Sequence, residues 1–312
     1  MCGIAGYLDK TNNDQAHVGQ ILYKMLDALG LRGPDSAGVA VYDHRHDGDL
    51  VLRVKLGEFG DKRHHAREQA SFIEKGNRIT QSVAGVGTIG HSATTGEYLR
   101  LFVDYAGTPR ELEEFVESLG EEAEVVSMGK YLEIIKQVGS PDNLEEAYDI
   151  SSIVGTHGIG HTRLSTESRI DLSHSQPFWV HGYPDIATVH NGHITNYDKM
   201  RRRYEQKGVK FYTHNDSEVI GIYFADKLSQ GMSLEEIMWL SLDELDGSYS
   251  YFVSTPDAMG FVRDPFALKP LLYTETDTFV AMANEEQAIR AAIPGDYLVR
   301  EAQAREVQLW QR

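Results

Sequence analysis

Cysteine is nearly absent from this 312-residue chain, which carries one, Cys2. A single cysteine excludes an intramolecular disulfide, and it excludes an iron–sulfur cluster held by this chain alone, since such clusters take about four thiolate ligands. Basic residues are scarce as well. Lys and Arg number 30 against 47 Asp and Glu, a formal charge of −17, so no net positive field exists to draw in nucleic acid or an anionic membrane surface. No apolar run approaches the roughly 20 residues that span a bilayer. Asp9, Lys10, Asn12, Asn13 and Asp14 come too soon after the first residues for a secretory leader. Low-complexity tracts and linkers rich in Pro, Gly or Ser are also missing, so nothing cuts the chain cleanly in two. These absences leave a cytoplasmic globular protein as the expectation, with 41% hydrophobic residues available for a core.

What is present is an alternation of short apolar runs and amphipathic stretches. Residues 3–8 and 37–43 read as buried strands, and between them Ile21, Leu22, Met25, Leu26 and Leu29 recur at helical spacing. Another strand is expected at Leu50–Val54. The stretch 99–139 reads as strand, helix, strand, helix, with Thr108 as N-cap before Pro109 at the first helical position. In it Leu112, Phe115, Val116 and Leu119, then Tyr131, Leu132, Ile134 and Ile135, stand at helical spacing, as an internal core or as a docking surface. Residues 44–150 are expected to form an inserted αβ segment with its own packing. Further on, 153–161 and 186–191 read as strands, and 196–207, 215–229 and 233–243 as helices. The last third holds short β-rich runs (YSYFVST, GFVRD, PLLYTE, FVAMAN, EVQLW) separated by turns. Many strands flanked by helices indicate a layered α+β or sandwich architecture.

Two signals carry little. GVGTIGHSATTGE (85–97) contains G-x-G-x-x-G and resembles GTHGIGHTRLSTES (155–168), but the run HSATTGEY after Gly90 is a poor helix start, which argues against a dinucleotide site. The 13 histidines offer no helical pair on one face. His157 and His161 are four apart in an expected strand, so no metal site is expected.

Cysteine is the strongest side-chain nucleophile once a base makes it a thiolate. If Met1 is removed, the α-amine of Cys2 becomes such a base, titrating at about 7.7–8.0. One residue would then supply nucleophile and base; a small apolar residue opening a buried strand is the structural alternative. The segments MCGIAGY, LRGPDSAG, GHTRLST, HNGHITN, NDSEVI, RDPFALKPL and ANEEQAI, in that order, resemble the class II glutamine amidotransferases, whose glutaminase domain uses an N-terminal nucleophile.

The resemblance implies a four-layer αββα N-terminal-nucleophile hydrolase sandwich spanning 2–312, with 44–150 inserted within it. It implies that Cys2 attacks the side-chain amide of L-glutamine, and that Asn191 and the Gly192 N–H form the oxyanion hole. By the same resemblance Arg163 binds the α-carboxylate, with Thr166 assisting, and Asp216 binds the α-ammonium. Arg32 and Gly33 match a pair beside the nucleophile. The residues alone leave alternatives: a turn role for Asn191, a surface ion pair for Arg163, a helix N-cap for Asp216, a structural role for Arg32. Glu167 departs from several relatives, which carry another polar group there. His174, His190 and His193 are expected as neighbours of the pocket.

With the chain ending at Arg312, the ammonia acceptor is expected on another polypeptide. The long insert and FVAMANEEQAI resemble free-standing amidotransferase subunits of split glutamate synthase and N-methylglutamate synthase. That resemblance implies partner synthase subunits, one bearing a flavin and an iron–sulfur cluster and one a glycine-rich β-helix, and no cofactor in this chain. Another N-terminal cysteine amide hydrolase, or a non-catalytic glutamine-binding scaffold, are the alternative readings.

Overall fold

The computed structural model describes residues 2–11, 14–43, 50–60, 64–165 and 169–312. Its centre is a seven-stranded antiparallel sheet. Across it run β15 (Arg300–Glu301), β13 (Leu272–Glu275), β14 (Phe279–Ala283), β1 (Gly3–Asp9), β8 (His157–Arg163), β2 (Ser36–Tyr42) and β7 (Leu132–Val138). A five-stranded antiparallel sheet faces it, in the order β16 (Val307–Gln311), β12 (Ala258–Arg263), β11 (Gly247–Thr255), β10 (Ala187–Ile194) and β9 (Phe178–Trp179).

Both sheets are covered on both faces, so their strands read as continuous apolar runs rather than as alternating ones. In β1, Ile4 and Leu8 enter the core between the sheets, with Ala40, Ile159, Val189, Phe252 and Phe261. Ala5 and Tyr7 point the other way, into a layer made by α1 (Val18–Ala28), α4 (Pro141–Tyr148) and α8 (Glu286–Ala292). On the far side α5 (Tyr197–Gln206), α6 (Glu218–Ser229) and α7 (Leu234–Glu244) bury Tyr204, Val219, Ile220, Phe224, Ile237 and Met238 against Tyr249, Tyr251 and Val253 of β11. The result is the αββα sandwich. No helix among the described residues is long and apolar enough to cross a membrane.

The described residues of 44–150 divide in two. A four-stranded antiparallel sheet, ordered β4 (Thr88–Thr95), β5 (Tyr98–Asp104), β3 (Leu50–Lys55) and β6 (Glu124–Gly129), packs with α2 (His65–Val83) and α3 (Pro109–Ser118), and its buried residues are continuous with the core between the main sheets. β7 and α4 instead belong to the main sheet and its helical layer. This corrects the reading of 131–139 as a helix. Tyr131, Leu132, Ile134 and Ile135 fit a helical period over so short a run, but the branched Ile134 and Ile135 suit a strand. Pairing along the whole of β2 decides the matter, and both isoleucines are buried. Leu112, Val116, Leu132, Ile134 and Ile135 are all buried and Phe115 and Tyr131 pack against them, so most of this apolar set is core, while Leu119 is exposed. Thr108 caps α3 as expected, in a capping box with Glu111 and with Pro109 opening the helix. The 85–97 stretch is strand β4 running into a turn, not a phosphate loop.

Candidate active site

The alternation of side chains along a strand places the site. In β8, Ile159 lies in the core between the sheets, so His161 and Arg163 share its face; His161 Nε2 reaches across to the His190 carbonyl of β10 at 3.1 Å. In β1, Ile4 points inward, which puts Cys2 on the same face two residues earlier. β1 pairs Gly3 with Thr162, and Cys2 therefore falls beside Arg163 at the open end of the sheet. In β10, Val189 is inward and Asn191 lies two residues beyond it on the same face. Cys2, Arg163 and Asn191 thus converge on one end of the gap between the sheets.

There a cavity of about 830 Å3 is lined by Cys2, Arg163, Gly192 and Asp216, together with Arg169, His174, Gln176, His190, Tyr212 and His214 among others. The Cys2 Sγ lies 3.7 Å from the Leu164 carbonyl. Burial pushes its thiol up, while the Leu164 contact and the nearby Arg163 charge pull against that rise. A group so placed needs a base to become a thiolate.

Asn191 is 3% exposed and its Nδ2 has no hydrogen-bond partner. A buried carboxamide donor left unpaired costs about 1–3 kcal/mol, so its persistence calls for a function. Its neighbour Gly192 sits at φ +142°, and a Cβ there would stand 2.2 Å from the Ser248 carbonyl oxygen. Only glycine fits, and the backbone is free to present its N–H where a side chain would clash. Asn191 and Gly192 are adjacent at the end of β10, and Gly192 lines the cavity with Cys2. The turn role expected as an alternative for Asn191 is not the observed one, since the residue lies within β10 and pairs with Ser250.

Arg163 is almost fully buried, and its Nη1 donates to the Arg169 carbonyl at 2.7 Å, with Ser165 Oγ 3.4 Å from Nη2. It lines the cavity, and a guanidinium has the planar fork that suits a carboxylate. Asp216 precedes α6 without capping it. Its Oδ2 accepts the Ile194 N–H at 2.8 Å, and Oδ1 is 3.9 Å from His190 Nδ1. Asp216 lines the same cavity as Arg163. Thr166 and Glu167 lie outside the described residues.

Arg32 holds the backbone of the nucleophile, and Gly33 packs on β8. Arg32 Nε donates to the Cys2 carbonyl at 3.3 Å, and Nη1 pairs with Glu285. Gly33 packs so closely on the β8 backbone that a Cβ would be 2.5 Å from the Thr162 carbonyl carbon. Neither residue is among those that line the cavity.

His174, His190 and His193 line the cavity as expected, while Gln176, Ser217 and Asn284 carried no role in the sequence. Gln176 Oε1 accepts the His190 N–H at 2.6 Å, and its Nε2 donates to the His190 carbonyl and to Ser217 Oγ at 3.2 and 3.0 Å. His190 Nδ1 lies 2.7 Å from the same Ser217 hydroxyl. This network fixes the strand that carries Asn191 and Gly192. Asn284 Oδ1 accepts the Ile4 N–H at 2.5 Å and its Nδ2 donates to the Pro270 carbonyl at 2.8 Å, tying the nucleophile's strand to the loop after β12. The segments HNGHITN, NDSEVI and ANEEQAI contained His190, Ser217 and Asn284, but single positions in them gave no sign of their partners.

A family model described as a glutamine amidotransferase domain matches residues 161–291. The chain is 36% identical over 296 residues to a provisionally assigned glutamine amidotransferase of Methanothermobacter thermautotrophicus, covering 93% of each chain. It is 31% identical over 289 residues to the glutamine amidotransferase-like protein GlxB of Rhizobium meliloti, covering 93% of this chain and 91% of that one. Among solved structures, the glutamine phosphoribosylpyrophosphate amidotransferase from B. subtilis superposes with a TM-score of 0.61 at 19% identity. That likeness covers 99% of this chain and 49% of the other, and it establishes the fold. With a near full-length relative, an αββα sandwich and a cysteine set among buried donors, the chain belongs to the class II glutamine amidotransferases.

Proposed function

We propose that the protein hydrolyses L-glutamine through a γ-glutamyl thioester on Cys2 and passes ammonia or the glutamyl group to a separate synthase. The unpaired Asn191 Nδ2 next to Gly192, at the end of the gap that holds Cys2, is the observation that carries this reading. Arg163 would take the α-carboxylate and Asp216 the α-ammonium, which leaves the side-chain amide pointing toward Cys2. The Sγ attacks the amide carbon, the C–N bond breaks, and the leaving nitrogen takes a proton and departs as ammonia. Water then attacks the thioester, releasing glutamate and restoring the thiol. In both steps the developing oxyanion would be met by Asn191 and the Gly192 N–H, at about 3 kcal/mol per donor. The α-amine exposed by loss of Met1 would serve as the base, and its ordinary pKa of about 7.7–8.0 suits proton transfer near neutrality.

For the acceptor, we infer partner subunits related to glutamate synthase or N-methylglutamate synthase, with 2-oxoglutarate plus ammonia or methylamine as the final chemistry. Any flavin and iron–sulfur cluster would sit on those partners. The two relatives matched over 93% and 91% of their own lengths leave little room in those proteins for a fused synthase, which supports an acceptor on a separate chain. The test is steady-state ammonia release from glutamine by the wild type and Cys2→Ala. Turnover that vanishes in the variant is expected. Equal turnover in both proteins, or none in a wild type lacking Met1, contradicts the reading.

A further inference from the structure

The segment Leu50–Gly129 reaches the cavity at two places. From α3, Glu113 and Glu117 stand one turn apart, and the Tyr212 hydroxyl lies 3.1 Å from Glu113 Oε1 and 2.9 Å from Glu117 Oε2. Glu113 is buried and its Oε1 is 2.5 Å from His181 Nδ1. The His181 ring stacks on Tyr212 with centroids 4.1 Å apart. Glu117 takes Lys210 Nζ at 2.8 Å, and that ammonium lies 4.2 Å from the Tyr212 ring centroid. Burial and the two carboxylates hold the Tyr212 hydroxyl well above its ordinary range, so it remains a donor. Tyr212 lines the cavity four residues before Asp216.

The second contact comes from the sheet. Lys55 on β3 pairs with Glu124 on β6 at 2.8 Å, and both bond the Ser173 hydroxyl. Glu58 Oε1 accepts the Leu172 N–H at 3.2 Å. The loop so held includes His174, which lines the cavity, and comes just after Arg169, whose carbonyl takes Arg163 Nη1. The cavity wall leading to Asp216 and the wall that steadies Arg163 are each tied to this segment.

We propose that Leu50–Gly129 is a positioning device for the amino-acid end of the substrate: Glu113 and Glu117 acting through Tyr212, and Lys55, Glu58 and Glu124 acting through Leu172 and Ser173, set the affinity for glutamine. This rests on the glutaminase reading above. Its reach is confined to binding, because neither contact touches Cys2, Asn191 or Gly192.

The test compares the full chain with Tyr212→Phe, Glu117→Ala, Glu117→Gln and the Tyr212→Phe/Glu117→Ala pair, measuring KM and kcat for glutamine, Tm, and the rate of Cys2 alkylation by iodoacetamide. Tyr212→Phe keeps the stacked ring and loses only the hydroxyl. It and Glu117→Ala are each expected to raise KM about three- to tenfold, the weight of one hydrogen bond, with kcat nearly unchanged. Because the Tyr212–Glu117 contact is common to both, the pair should raise KM by less than the product of the two single changes. Glu117→Gln keeps an acceptor and should restore most of the affinity. Iodoacetamide has no amino-acid head group, so its rate should stay at the wild-type value. An unmoved KM in both Tyr212→Phe and Glu117→Ala overturns the proposal, as does a KM rise that comes with equal losses of kcat, Tm and alkylation rate. Wild type without glutamine turnover would instead defeat the glutaminase reading, and this inference with it.

Discussion

Replacing Asn191 with alanine should separate catalysis from stability. The side chain is 3% exposed and its Nδ2 is unpaired. In the folded protein without substrate, that donor is a liability of about 1–3 kcal/mol. Its removal also deletes buried side-chain atoms and opens a small void, at a cost of about 1–2 kcal/mol. The two terms oppose each other, and Tm should stay within about 4 °C of wild type. Catalysis has no such compensation. If the carboxamide meets the developing oxyanion, kcat should fall about 100- to 1,000-fold, or roughly 3–4 kcal/mol. KM should change little, because the donor acts on a charge absent from the ground state. Ammonia release under saturating glutamine and a thermal melt read the two quantities on one preparation. A variant that melts far lower yet keeps kcat within fivefold would show Asn191 to be a packing residue, and the oxyanion argument would fall.

Two further outcomes rest on the same geometry. Arg163→Lys keeps the charge but loses the planar fork, so KM for glutamine should rise by about tenfold or more with a smaller change in kcat; an unchanged KM in steady-state assays would remove Arg163 from the carboxylate site. Burial holds His161 neutral, with its pKa down from 6.5 to about 3. The unfolded chain then binds a proton below about pH 6.5 that the folded chain refuses. The contribution is intact above that value and is lost as pH falls toward 3. At pH 5 the penalty is about 2 kcal/mol, so urea unfolding between pH 7 and pH 5 should cost the wild type about that much more than His161→Gln. Parallel losses would mean that His161 is protonated in the fold.

Much of this architecture was legible in the sequence. The apolar spacing of Ile21, Leu22, Met25 and Leu26 marked α1, Thr108-Pro109 marked the start of α3, and the glycine-bracketed runs marked β1, β8 and β10. The ordered motifs brought Cys2, Arg163, Gly192 and Asp216 to one cavity, with Asn191 buried beside Gly192 on β10. Contacts between distant segments were not legible. Tyr131–Ile135 satisfies either period until β2 pairs with it. Helix α2 gave little sign of itself, because Phe72, Ile79 and Val83 are its only large buried residues among many charged ones. The hold of Glu117 on Tyr212 spans 95 positions, and no local pattern announces it.

The central claim is that Cys2 is the nucleophile and that its own α-amine is the base. The most direct measurement is the intact mass of the purified protein before and after a glutamine-mimicking electrophile, with Cys2→Ala as control. The account predicts loss of Met1 and one Cys2-dependent adduct that free glutamine suppresses. A protein that lacks Met1 yet takes no adduct, or takes one equally in Cys2→Ala, would contradict it.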